Sequence, residues 1–162
     1  MIDKNRDLKD YSKEELLDAL NSKKDIESYP LLKLVYEENS KTNKCYSYFE
    51  DFLKMTYEKS SFKRMRGFNL CASLTKWDVD NKIDKHLQEM LVLLEDEKPI
   101  TVRTVLSNIK EIIKYKPYLI SVIKDNLNRI DYSKYKDTMS PLIKKDVDEL
   151  NSLMDDMEIR NQ

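Results

Sequence analysis

One glycine, one histidine, one tryptophan and two cysteines are all that 162 residues offer of the types around which many recognisable sites are built. Gly67 alone cannot supply the Gly-x-Gly-x-x-Gly of a dinucleotide fold, the two glycines of a phosphate-binding P-loop, or the positive-φ turns of a many-hairpin β protein. His86 with Cys45 and Cys71 falls short of the four Cys/His ligands of a structural zinc site, and no Cys-x-x-Cys spacing exists, so neither a metal nor a cofactor is expected. Long apolar runs are missing too: the longest is Met90 to Leu94, against the roughly 20 residues that span a bilayer. Charges occupy Met1 to Asp7, where a secretory leader needs an apolar stretch. The expectation is a cytoplasmic chain without membrane association, its thiols reduced and Cys71 in the core. Nor is there an excess of charge of one sign, since 29 Lys+Arg face 30 Asp+Glu. That balance removes the sequence-independent pull toward nucleic acid or anionic lipid, so any charged site must be local.

What is present is helical period, with no stretch alternating apolar and polar residues long enough for a half-buried strand. The chain has the length of one domain and is expected to be all-α. Ser12 and Glu15 form a capping-box pair ahead of Leu16, Leu17 and Leu20, predicting a helix from about Lys13 to Leu20. Pro30 is expected to open a second helix carrying Leu31, Leu32, Leu34, Val35 and Tyr36. Glu37 to Asn43 is polar throughout and reads as a linker or long turn.

From Cys45 onward three helix pairs emerge: Tyr46 to Glu58 with Phe62 to Thr75, Asn81 to Leu94 with Pro99 to Lys114, and Pro117 to Asn128 with Pro141 to Met154. A shift of 38 residues aligns Phe68 with Leu106, Cys71 with Ile109, Leu74 with Ile112, and Lys76-Trp77 with Lys114-Tyr115. The third unit fits more loosely, because Pro141 falls 42 residues after Pro99 and Asp131 to Asp137 makes a longer turn. Units near forty residues have the length of HEAT and armadillo repeats, in which no helix pair buries its own apolar face and stacking builds the core. The expected architecture is a right-handed HEAT/armadillo-like α-solenoid of about three helix pairs: an N-terminal helical cap over 1–43, repeats over 44–157 and a tail over 158–162.

Asp96-Glu97-Lys98-Pro99-Ile100-Thr101-Val102-Arg103 looks like the HEAT pattern in which Asp and Pro precede a Val-Arg pair opening the second helix, and Phe62-Lys63-Arg64-Met65-Arg66 is a weaker version. Arg66 sits one position off Arg103 under the 38-residue shift. The stretch from Arg64 to Asp146 resembles a group of small HEAT-repeat-like proteins of Gram-positive anaerobes, often labelled as Suf-type (SufBD) iron-sulfur assembly proteins. The residues do not support that label, because cluster ligation needs cysteine thiolates. The resemblance covers about half the chain and implies a fold without an activity.

With the apolar faces turned inward, Arg103, Ser107, Lys110 and Lys114 fall at i, i+4, i+7 and i+11 on one polar stripe. The preceding unit repeats it with Arg66, Asn69, Ser73 and Lys76 at i, i+3, i+7 and i+10. Parallel donor rows on second helices, which line the concave face of such solenoids, suit an acidic or extended partner segment. The competing reading is ordinary solvated helix surface, with Arg66 and Arg103 satisfying carbonyls or an Asp of the adjacent turn. Trp77-Asp78 invites comparison with HEAT-like DNA alkylation-repair enzymes, but the alignment of Trp77 with Tyr115 reads as packing, with Asp78 capping the next helix. The acidic residues from Asp146 to Glu158 would repel a duplex. His86 has no nucleophile at a suitable spacing and reads as a surface residue. Carboxylate pairs such as Asp78 with Asp80 and Asp155 with Asp156 are expected in turns or an exposed tail rather than on a buried face, with nothing to push their pKa values apart. Tyr46, Tyr48, Tyr57, Tyr115, Tyr118, Tyr132 and Tyr135 are expected mostly to close repeat interfaces. The sequence thus suggests a non-enzymatic interaction scaffold for a protein or peptide partner, with weak self-association through the solenoid ends. Nucleic-acid binding is the alternative.

Overall fold

The structure is a computed structural model that describes residues 5–161, and among these residues the chain is all-helical, without a strand. Eight α-helices follow in order: α1 Lys13–Leu20, α2 Asp25–Lys41, α3 Phe49–Met55, α4 Ser61–Ser73, α5 Lys82–Met90, α6 Pro99–Tyr115, α7 Ile120–Leu127 and α8 Ser140–Arg160. Short 3-10 turns lead into α3 and α7 at Tyr46–Tyr48 and Pro117–Leu119, and another, Leu91–Glu95, extends α5. The long even-numbered helices form a row in which α2 packs on α4, α4 on α6 and α6 on α8. Each odd-numbered element leans on this row: α1 on α2, α3 on α4, the Leu91–Glu95 turn on α6, and α7 on α8.

Helix α6 shows why the row holds. Val102, Val105, Leu106, Ile109, Ile112 and Ile113 are all buried, recurring at helical period, so the helix is flanked by neighbours on both sides. Several of these residues are β-branched and carry only modest helix propensity; burial at about 1.5–3 kcal/mol per large apolar side chain outweighs that preference. Gly67 is the opposite case, a poor helix former in the middle of α4. A Cβ there would lie 2.7 Å from Met55 Cβ, 2.7 Å from Phe52 O and 2.8 Å from Thr56 N, so the glycine is what lets α3 cross α4 so closely. The one positive φ among the described non-glycine residues is at Asn81, φ 53, where the chain turns into α5. Asparagine tolerates that region better than most residues, and here its Oδ1 accepts from Lys116 Nζ at 3.0 Å.

The start of α1 agrees with the expected signals, with Ser12 Oγ accepting from Glu15 N at 3.1 Å. Three expectations are corrected. Helix α2 begins at Asp25, not Pro30, because Asp25 and Glu27 favour a first turn there; Pro30 lies inside the helix and leaves the carbonyl of the exposed Ile26 to solvent. Glu37 to Asn43 is no linker: α2 continues to Lys41, and its polar residues serve contacts, Asn39 being buried against α4. Nor does a tail begin at residue 158, since α8 runs on to Arg160. Met1 to Lys4, with their part of the N-terminal charge pattern, and Gln162 lie outside the described residues.

Candidate partner-binding site

Helices α4 and α6 lie side by side with their apolar faces turned in, which sends the two polar stripes outward, but the stripes do not form continuous donor rows. Arg66 turns back and is buried: its guanidinium donates to Ser22 O at 2.9 Å and Leu20 O at 3.3 Å and pairs with Asp25 at 3.1 Å, pinning the α1–α2 turn. Arg103 reaches α8, where its Nε donates to Asp146 at 2.6 Å. With Ser107 and Lys110 it lines a groove of about 440 Å³ between α6 and α8 that also contains the acidic Asp146 and Glu149. Asn69, Ser73, Lys76 and Lys114 come together in a second, open groove of about 680 Å³ running from α2 across α4 to α6. Tyr36, Asn39 and Ser40 supply its α2 wall, and Asn108, Glu111 and Tyr115 complete its α6 wall.

The floor of this second groove holds an amide network with two unused acceptors. Asn39 donates its amide N–H to Ser73 Oγ at 2.8 Å, and that hydroxyl donates onward to Leu70 O at 2.7 Å, which fixes the amide's orientation. Asn39 Oδ1 and Asn69 Oδ1 are buried without a hydrogen-bond partner. A buried acceptor left unpaired costs about 1–3 kcal/mol. Burial pushes the Tyr36 phenol up to about 12, with Asn69 and Arg66 pulling the other way, so Tyr36 stays a protonated donor at neutral pH. At the rim the expected 38-residue correspondence reappears: Lys76 Nζ stands 4.9 Å over Trp77, and Lys114 Nζ stands 5.2 Å over Tyr115. Lys76 also reaches Ser40 O at 3.4 Å. With Glu111 among its walls, the groove offers amides, hydroxyls, two ammonium groups and one carboxylate, a set suited to a polar chain of mixed character rather than to a polyanion.

Trp77 is half-buried against the core and its indole N–H donates to Asn39 O at 2.7 Å, tying the end of α4 to α2. Asp78 caps the start of α5 as expected, accepting from Lys82 N at 2.8 Å and Ile83 N at 2.9 Å, but it is buried in its turn. Tyr46 OH donates to it at 2.6 Å, and Lys116 Nζ lies 3.1 Å away. Burial by itself would raise the Asp78 carboxyl, but Tyr46, the Ile83 amide, Lys116 and the Lys82 amide outweigh it and hold the group below its ordinary value. It is therefore an ionised anchor rather than a proton donor. Asp155 pairs with Lys124 at 2.6 Å. His86 is half-buried against Glu89 and the Phe49 ring rather than fully on the surface.

Two buried charge clusters escaped sequence reasoning. Lys116 joins Asp78 and Asp84, and Arg64 makes a fork on Asp96 at 2.7 and 3.1 Å while Asp96 Oδ1 accepts from Lys98 N. A spacing of 32 residues, shared by Tyr46 with Asp78, Arg64 with Asp96 and Asp84 with Lys116, was the legible signal. In each case the second partner lies in a turn that leads into a helix of the following pair. Among the described residues no group of three or more His, Cys, Asp or Glu side chains is placed to hold a metal ion, and no helix is long and apolar enough to cross a membrane. Set against protein-family models, curated proteins and solved structures, the chain matches none of them.

Proposed function

We propose that the chain is a HEAT-like α-solenoid that works in the cytoplasm as a non-enzymatic interaction module, holding an extended partner segment across α2, α4 and α6. On this reading the N-terminal cap is itself a repeat: α1 and α2 form a first helix pair, and the array has four pairs. What supports it is the unbroken row α2, α4, α6, α8 and the use of Arg66 to lock the first pair onto the second. The observation that carries the binding reading is the unpartnered Asn69 Oδ1 on the middle helix of the groove, with Asn39 Oδ1 beneath it.

An extended segment presents backbone N–H and C=O groups at regular intervals, and a primary amide both accepts and donates; its terminal torsion is broad enough to pivot toward an incoming N–H. Lys76 and Lys114 add attraction for acidic side chains on the segment. The arginines that would have made the face strongly basic are spent on Asp25 and Asp146, which disfavours nucleic acid as the occupant.

The test is affinity capture from lysate of the source organism with wild type and with a Lys76→Glu/Lys114→Glu variant, both positions being exposed. A protein retained by the wild type and lost by the variant supports the reading. Equal recovery by both refutes it, and recovery of nucleic acid that disappears as salt rises assigns the face to the alternative.

A further inference from the structure

The first turns of α4 and α6 enclose a second surface, at the opposite end of these helices from the amide-lined groove. Phe62 and Met65 on α4 face Pro99 and Ile100 on α6 across an apolar socket of about 270 Å³, closed by Ser61, Lys98 and Thr101. Phe62 is 58% exposed and Ile100 62% exposed, a heavy exposure for side chains of this size. They are also separated by the same 38 residues that relate the two helix pairs, so the exposure is a repeated feature rather than an isolated one.

The charges at the mouth of the socket are Lys63 and Lys98 with one glutamate, Glu97, so lysine is in excess. Neither α4 nor α6 has an acidic residue in its first turn, and neither Ser60 nor Lys98 makes a side-chain cap hydrogen bond. Two helix N-termini therefore converge on one apolar pocket: α4 brings the amides of its first turn, and α6, whose Lys98 N–H is taken by Asp96 and whose Pro99 has none, brings those of Ile100 and Thr101. Lys98 lines it, and Lys63 follows Phe62 on α4. Arg64 and Asp96 neutralise each other, which leaves Glu97 as the carboxylate beside Lys98. A carboxylate brought here meets N–H donors and two lysines against one glutamate, while a cationic side chain meets the opposite balance.

We propose that this socket is a docking site for a partner polypeptide that inserts one bulky apolar side chain, leucine or phenylalanine in kind, between Phe62 and Ile100 and lays flanking carboxylates on the starts of α4 and α6. The inference stands on the socket and its charge and does not depend on the amide-lined groove. A single anchor of this size with two or three charge-assisted contacts corresponds to a weak, exchangeable interaction rather than a permanent complex.

The experiment is selection of a random peptide display library on the purified chain, followed by titration of the enriched peptides against wild type, a Phe62→Ser/Ile100→Ser variant and the Lys76→Glu/Lys114→Glu variant. Because Phe62 and Ile100 are exposed, the socket variant is expected to melt with the wild type. The expected result is a shared pattern of one large apolar residue beside Asp or Glu, with binding at least tenfold weaker in the socket variant and unchanged in the groove variant. Enrichment of basic or purely polar peptides, binding that the socket variant retains, or no enrichment overturns the proposal. So does wild-type self-association in sedimentation that the socket variant abolishes, because that result assigns the surface to a second copy of the chain.

Discussion

Replacing Gly67 with alanine sets two rules against each other. Intrinsic helix preference favours alanine over glycine by about 1 kcal/mol in a helix interior, so propensity alone predicts a more stable protein. The structure predicts the reverse. The new Cβ would sit 2.7 Å from Phe52 O, 2.8 Å from Thr56 N and 2.7 Å from Met55 Cβ, none of which is the movable end of a side chain. To restore contacts of about 3.4 Å, α4 must retreat from α3 by roughly 0.7 Å, yet α4 is backed by α6 and carries the fully buried Phe68, Leu70 and Cys71. Overpacking of this kind costs about 1–3 kcal/mol, and the backing helix places it at about 3. Subtracting the propensity gain leaves a loss of about 2 kcal/mol, or a melting temperature lowered by about 4–8 °C for a chain of this size. Thermal unfolding followed by circular dichroism measures it, with Ser107→Ala on the exposed face of α6 as a control expected to stay within about 0.5 kcal/mol. A Gly67→Ala protein that melts at or above the wild-type temperature would refute the close-crossing argument.

Other expectations follow from the same contacts. Arg66→Ala should cost about 2–3 kcal/mol, because it strands Leu20 O and Ser22 O in the α1–α2 turn, and hydrogen exchange should show α1 and the start of α2 losing protection before α6; uniform loss along the chain contradicts this. The Asp78 and Asp84 carboxyls are both held below their ordinary values in the folded chain, so their stabilisation is fully present above about pH 5 and is lost as pH falls through 4 and below. Asp78→Asn should lower the urea midpoint at pH 7 and flatten its acid dependence, and an unchanged acid slope would show that Asp78 carries none of it. Burial drives the Cys45 thiol up to about 11 and the Cys71 thiol well above its ordinary value, so both should resist an aromatic disulfide reagent until denaturant is added; rapid labelling of the native protein would contradict their packing.

Apolar residues at helical spacing and an explicit cap such as Ser12 act within one or two turns of chain, so the helical class and much of the order of elements were legible before any tertiary contact was known. The 38-residue kinship of α4 with α6 was legible for the same reason, down to the Lys-aromatic pairs at Lys76-Trp77 and Lys114-Tyr115. What reached across elements was not. A polar run such as Glu37 to Asn43 reads as a linker until Ser73 of α4 and Trp77 of the turn after it become partners for Asn39, and a glycine in mid-helix reads as a flaw until α3 is placed against it. Of the stripe Arg66, Asn69, Ser73 and Lys76, the last three share one groove and Arg66 does not, and each residue's role depended on the neighbour facing it. Arg66 found the α1–α2 turn, Ser73 found Asn39, Arg103 found Asp146, and Asn69 kept an acceptor free. Local periodicity decides which face a side chain occupies, whereas its hydrogen bonds, its charge state and its availability to a partner are decided by residues 32 to 46 positions away that only tertiary packing brings near.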